Sequence, residues 1–279
     1  MKIIETISEM QSLSTDWRRE GLKVGVVPTM GALHPGHISL IDVIKPHVDR
    51  IVLTLFVNPT QFGENEDLDK YPRTFEADKQ ACIDNGVNAI FFPSNDEMYN
   101  QDSSTWVVEE KVSQGHCGAS RPTHFRGVTS VVAKLYNAVL PDFAVFGEKD
   151  YQQLQVLKRM TRDLNFPITV LGAPIFREDS GLAMSSRNEY LKPDVRSAAS
   201  VIFRSMNEAS DSVKKSSMTF AEAKEYIAGQ ISAAGGKVDY VELVDRETLE
   251  TLDDSTQPAR CLVAAYFGPA RLIDNIDFG

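Results

Sequence analysis

His34 and His37 stand three residues apart in the stretch Pro28-Thr-Met-Gly-Ala-Leu-His-Pro-Gly-His-Ile-Ser-Leu40. Ahead of it, Leu22–Val27 reads as a short buried strand; behind it, Ser39–Val48 carries apolar residues at helical spacing. A strand that passes through a Gly/Pro turn into a helix points unpaired backbone N–H groups and the positive end of the helix dipole at one spot. With two imidazole donors beside them, that arrangement suits a phosphate group. Two alternatives stay open for the residues alone. The pair could ligate a metal, although two nitrogens are too few and no third ligand has matching spacing. They could also be ordinary surface histidines.

Further loops hold groups able to bind or polarise a ligand. The apolar run Arg50–Val57 stops at Asn58-Pro-Thr-Gln-Phe-Gly63. Phe143–Phe146 reads as a strand and stops at Gly147-Glu-Lys-Asp150. Gly115–Arg126 packs His116, Arg121, His124 and Arg126 together, and Ala183-Met-Ser-Ser-Arg-Asn188 precedes a helix. Taken singly, each has a plain reading as a turn, a helix entry or a solvated charged loop. Gln61 and Gln153 taken singly are surface amides.

Strands and helices alternate in the first part of the chain. Ile7–Arg19 reads as an amphipathic helix, Phe75–Asn85 as a helix, Ala89–Pro93 as a strand, Gly127–Leu140 and Tyr151–Leu164 as helices, and Pro167–Leu171 as a strand. Runs apolar on both faces suit parallel strands covered on either side, and the alternation predicts an α/β sheet with ligands at the carboxyl ends of its strands. Thr105–Lys111, β-branched and aromatic, is expected to be an edge strand or a subunit contact, and acidic Glu64–Lys70 a mobile surface loop. After about residue 175 the order becomes helices followed by strands. One helix is expected from Pro193 to about Lys214, and another over Phe220–Ala234, capped by Thr219 with Glu222 and ended by Gly235-Gly236. Val238–Val244, Cys261–Phe267 and Arg271–Ile276 read as strands. Two domains follow, 1–175 and a smaller α+β domain over 176–279.

The 279 residues are 42% hydrophobic and 24% charged, ordinary for a globular protein. A chain of this size buries roughly 75% of its unfolded surface and needs no disulfide or structural metal. Its net charge of −10 disfavours nucleic acid or an anionic membrane as partner. Cys82, Cys117 and Cys261 form no CxxC pair and read as free thiols of a reducing cytoplasm. MKIIETISEM lacks a signal-peptide core, and no apolar run reaches membrane-spanning length.

The strings PTMGALHPGH, FVNPTQF, YPRT, RPTHFRGV, FGEKDYQQ and LAMSSRN, in this order, resemble the pantothenate synthetase family of HxGH nucleotidyltransferases. The resemblance spans essentially the whole chain and is densest from Leu22 to Leu191. It implies a Rossmann-like ATP- and pantoate-binding domain with a small C-terminal domain, a cytoplasmic homodimer, and Mg²⁺ accompanying ATP as co-substrate. It implies that pantoate is adenylated by ATP and passed to β-alanine. By motif, Met30, Gly31, Ala32, Leu33, His34, Pro35, Gly36 and His37 hold the triphosphate, with His37 as proton donor and His34 and Lys149 beside it in catalysis. Gly147 and Asp150 hold the ribose, Glu148 belongs to the same ATP site, and Phe176 and Met184 face the adenine. Ser185, Ser186 and Arg187 grip the outer phosphates. Gln61 and Gln153 hold pantoate, with Gln61 also near β-alanine, and Pro28, Met30 and Phe62 form an apolar wall. Arg121 and His124 orient or serve the second step, with a structural ion pair as the alternative. Ser180 replaces the family's usual Asp, leaving Asp179 as a substitute if the loop shifts by one residue. Asp78 falls near the family's metal region without being assigned to it. Rival readings are another HxGH nucleotidyltransferase with a phosphorylated acceptor, which would want more Arg or Lys than Gln61 and Gln153 supply, and a non-catalytic RNA-binding relative, which the charge disfavours.

Overall fold

Alternate residues of the central strands feed two separate cores. In a computed structural model, which describes all residues except 64–67, 69–70 and 254–255, Val24, Val26, Val52 and Phe91 pack to one face of a sheet and Val27, Leu53, Ile90 and Val145 to the other. This two-faced burial is why the runs read as continuously apolar. The elements in order are β1 (Lys2–Ile4), α1 (Ile7–Arg19), β2 (Val24–Thr29), α2 (Pro35–Ile44), β3 (Arg50–Leu55), α3 (Phe75–Asp84), β4 (Ala89–Phe91), α4 (Asn95–Met98), α5 (His116–Ser120), α6 (His124–Val139), β5 (Phe143–Gly147), α7 (Tyr151–Asp163) and β6 (Thr169–Ala173). The sheet is parallel, in the order β1-β4-β3-β2-β5-β6. The chain steps outward from β2 through β3 and β4, then crosses back to β5 on the other side of β2. The carboxyl ends of β2 and β5 are therefore the switch point at which such sheets bind ligands.

The remaining elements are α8 (Pro193–Ala199), α9 (Val201–Lys214), α10 (Phe220–Ala233), β7 (Lys237–Val244), β8 (Ala259–Phe267) and β9 (Ala270–Phe278). The last three form an antiparallel sheet in that order. Its core joins Val263, Phe267 and Phe278 to Met206 of α9 and Ile227 of α10. Thr219 caps α10, and Glu222 returns the bond to the Thr219 N–H. The chain divides into one unit of Met1–Glu148 with Gln152–Pro174, and another of Lys149–Tyr151 with Ile175–Gly279.

Two expectations are corrected. Thr105–Lys111 forms no strand. Its backbone is held by side chains of α6: Ser130 Oγ accepts from Val107 N, and Thr129 Oγ1 donates to Val107 O. The helix expected from Pro193 to Lys214 is two helices that meet at Ser200. The acidic stretch 64–70, Leu68 apart, lies outside the described residues.

Candidate active site

The turn after β2 needs two left-handed residues, Gly31 at φ 88° and Ala32 at φ 50°. For Ala this costs about 1–2 kcal/mol. Asp78, buried on α3, offsets the cost: its carboxylate accepts from Ala32 N at 3.0 Å, Leu33 N at 2.8 Å and Thr74 Oγ1 at 3.1 Å. A Cβ on Gly31 would stand 3.1 Å from Asp78 Oδ2. Asp78 thus shapes the turn, and both its oxygens are engaged in doing so. Burial, and after it the charge of Asp78, pushes the Cys82 thiol up to about 12.

His34 caps α2, Pro35 stands at its first position, where no N–H is needed, and His37 lies in the first turn. His34 Nδ1 accepts from Gly36 N at 3.1 Å, and His37 Nδ1 accepts from His34 N at 3.4 Å. A neutral imidazole whose Nδ1 accepts carries its proton on Nε2. Both rings therefore carry their N–H at Nε2, and they stack with centroids 4.0 Å apart.

Gln61 follows β3 in a single 3₁₀ turn, Pro59–Gln61. Its Oε1 accepts from Asn58 Nδ2 at 3.1 Å, and its Nε2 contacts Met30 Sδ at 3.2 Å. Its backbone carbonyl accepts from Arg121 at 3.2 Å and lies 2.9 Å from His124 Nδ1. Arg121 and His124 thus orient Gln61. Asn58 is itself buried and accepts from the Tyr99 hydroxyl at 2.9 Å. The turn lies so close to α6 that a Cβ on Gly127 would stand 2.4 Å from Thr60 O. Pro28 is half-buried on β2, Phe62 meets Tyr71 edge-on at 6.2 Å, and Gln153 is half-buried on α7.

In the other unit, Lys149 pairs with Asp150 at 3.7 Å. Phe176 O accepts from Met184 N at 2.9 Å, which ties the start of the Arg177–Arg187 loop to its far side. Ser185 Oγ accepts from Arg187 N, and Asn188 Nδ2 donates to Glu178 at 2.7 Å and to Ala183 O at 3.1 Å. Burial alone would raise the Glu178 carboxyl, but hydrogen bonds from Arg196 and Asn188 outweigh it and hold the carboxyl below its ordinary value. In the turn itself, Ser180 Oγ accepts from Leu182 N at 3.3 Å, Gly181 takes φ 88°, and Asp179 is exposed.

The first unit therefore brings Met30–His37 together with Gln61, and the second carries Lys149, Asp150, Phe176 and Met184–Arg187. Sequence reasoning gave no role to Asn58, whose signal is its place three residues before Gln61. It also overlooked Gln152, which donates to Val112 O and Gln114 O and accepts from Cys117 N. Among the described residues, no group of three His, Cys, Asp or Glu side chains is placed to hold a metal ion.

The family model for pantoate-beta-alanine ligase matches residues 2–277. A pantothenate synthetase of Thermotoga petrophila is 48% identical over 100% of both chains, and that of Alteromonas mediterranea 46% over 99% of both. The crystal structure of pantothenate synthetase from Thermus thermophilus superposes with a TM-score of 0.92 at 41% identity, over 99% of both chains. The ligase of Francisella tularensis, complexed with beta-gamma ATP and beta-alanine, superposes at 0.82 and 32% identity, over 99% of this chain and 97% of that one.

Proposed function

The chain belongs to the pantoate-beta-alanine ligase family, and from that premise we propose that it joins pantoate to β-alanine with ATP through a pantoyl adenylate. The pantoate carboxylate attacks the α-phosphorus and pyrophosphate leaves. The β-alanine amine then attacks the mixed anhydride and AMP leaves. A carboxylate is ionised at neutral pH, so the first step needs no base. It needs alignment and donors for the charge that grows on the α-phosphate and the leaving pyrophosphate.

The observation that carries this reading is the pair of Nε2–H donors on His34 and His37, both fixed in tautomer by the turn at the head of α2. Donors held in place before reaction lose nothing to reorganisation. Lys149 supplies a compact cation, and Ser185, Ser186 and Arg187 serve the outer phosphates. Gly147 and Asp150 serve the ribose, with Glu148 in the same ATP site; Phe176 and Met184 serve the adenine. Gln61 and Gln153 hold pantoate. Asn58 engages the Gln61 oxygen, which leaves the Nε2 end as donor to a carboxylate. Mg²⁺ enters with ATP as the substrate complex; Asp78 serves the turn instead, its carboxylate accepting from Ala32 N, Leu33 N and Thr74 Oγ1. A cytoplasmic homodimer belongs to the same reading; a monomer mass in sedimentation equilibrium would remove the dimer.

The test is exchange of labelled pyrophosphate into ATP. Exchange that depends on pantoate and proceeds without β-alanine is expected. Exchange indifferent to pantoate overturns the adenylate.

A further inference from the structure

β9 carries two consecutive buried polar residues, Asp274 and Asn275, at 4% and 2% exposure. Asn275 Nδ2 donates to the Lys149 carbonyl at 3.0 Å, and its Oδ1 accepts from Arg260 Nε at 2.8 Å and from a terminal nitrogen at 2.5 Å. Arg260 also pairs with Asp277 at 3.0 Å and lies 4.3 Å over the Tyr151 ring. The Tyr151 hydroxyl donates to Arg246 O at 3.0 Å. Lys149 and Tyr151 are thus both held from the C-terminal sheet, although residues on either side of Lys149–Tyr151 belong to the other unit.

Asp274 does the same for the second loop. It takes the Arg177 guanidinium in two bonds, 2.7 and 2.9 Å, and Arg177 donates onward to Gly181 O at 3.0 Å. Phe203 lies 3.7 Å beneath the guanidinium, and an Arg177–Ala183 bridge closes the base of the loop that leads to Met184–Arg187. Burial pushes the Asp274 carboxyl up, and Arg177 opposes that shift. Stability does not explain such a set. A buried ionic network is often no better than apolar residues of equal volume, and the neighbouring buried positions of β9 are apolar.

We propose that Asn275 is a positioning residue for Lys149, and that its neighbour Asp274 sets the Ser185–Arg187 loop from the same strand. A lysine is a point charge on a flexible stem, so the place of its backbone fixes where the ammonium can reach. Asn275 sets that place through one carbonyl and is itself oriented by Arg260. The inference rests on the assignment of Lys149 to ATP phosphates.

Asn275→Asp separates this role from a structural one. Aspartate still accepts from Arg260 but cannot donate to the Lys149 carbonyl. Pantoyl-adenylate formation is measured in a single turnover for the wild type, Asn275→Asp, Lys149→Ala and the double variant, with thermal unfolding alongside. The expected result is a folded variant with a lowered melting temperature and adenylation slowed about 10-fold or more, the scale of a small misplacement. No further loss is expected when Lys149→Ala is already present. Adenylation at the wild-type rate in Asn275→Asp, or losses that multiply in the double variant, overturns the inference. If Asn275→Asp does not fold, Asn275→Ala is judged in the same cycle. Adenylation that Lys149→Ala leaves at the wild-type rate removes the Lys149 assignment itself, a separate and recognisable failure.

Discussion

The rings of His34 and His37 stack 4.0 Å apart, and neither can turn without breaking a backbone hydrogen bond at its Nδ1. The side chains that cap the helix are thus the same two that we propose as phosphate donors. Folding the turn selects the tautomer, and the tautomer leaves Nε2–H on both rings.

That coupling can be separated by substitution at His34. Asparagine places an acceptor oxygen where Nδ1 stands and is among the best N-caps, whereas alanine loses about 1 kcal/mol of cap. His34→Asn is expected to unfold within about 0.5 kcal/mol of the wild type, yet to slow adenylation about 10²-fold through loss of Nε2–H, the scale for one preorganised donor. His34→Ala should lose both. Urea unfolding and pyrophosphate exchange check the pair; adenylation kept within a few-fold in His34→Asn would remove the donor role.

Asp78 gives a prediction about magnesium. Its carboxylate receives the amides of Ala32 and Leu33 and the Thr74 hydroxyl. An asparagine in its place would keep one acceptor and turn an NH₂ toward a donor. Loss of a hydrogen bond to a buried charge costs about 1.5–3 kcal/mol. Asp78→Asn is expected to destabilise by about that much and to raise the KM for ATP, because the turn loosens. The Mg²⁺ concentration for half activity at saturating ATP should not move. A ten-fold rise in it would make Asp78 a metal ligand instead.

Gly127 tests the proposed pantoate role of Gln61. A Cβ there would stand 2.4 Å from Thr60 O and 2.7 Å from Gln61 N, both backbone atoms. Such overpacking costs about 1–3 kcal/mol and is relieved by moving the turn. Gly127→Ala should raise the KM for pantoate about 10-fold while the KM for ATP stays within about two-fold, because the displaced residue is Gln61. Steady-state kinetics with each substrate varied checks it; equal rises in both constants would show a general disturbance.

The elements legible in the sequence were those whose signal is local. α1 falls at Ile7–Arg19, with Thr6 as its cap, and the Thr219–Glu222 box starts α10. β2 and β3 were legible because burial on both faces leaves an uninterrupted apolar run. Thr105–Lys111 misled because its β-like composition serves side-chain docking on Thr129 and Ser130, more than twenty residues away. The His34–His37 turn could be read from its own residues. What holds it could not: Asp78 is 45 residues from Leu33, and Asn275 is 126 from Lys149. A carboxylate that accepts distant amides leaves no periodic mark, so its role becomes visible only when the chain is folded.

Glu178 makes the loop around Ser185–Arg187 sensitive to acid. Its carboxylate receives Asn188 at 2.7 Å and Arg196 at 2.7 and 3.0 Å. Burial would raise its pKa, but these hydrogen bonds outweigh burial, and the folded value lies below the ordinary one. The folded state therefore holds fewer protons here than the unfolded chain, and the resulting stability is complete above the ordinary carboxylate range. It is lost as pH falls through the lowered folded value. Glutamine keeps the shape and an acceptor but not the charge. The Arg196 side chain is 42% exposed, so solvent screens the pair, and Glu178→Gln should lose only about 1 kcal/mol at neutral pH. The gap between wild type and variant should close with acid, because protonated Glu178 resembles glutamine. Urea unfolding of both proteins from about pH 7 down to about pH 3 measures it. A gap that stays constant across that range would mean that packing, and not the carboxylate charge, anchors Asn188 and the loop it ends.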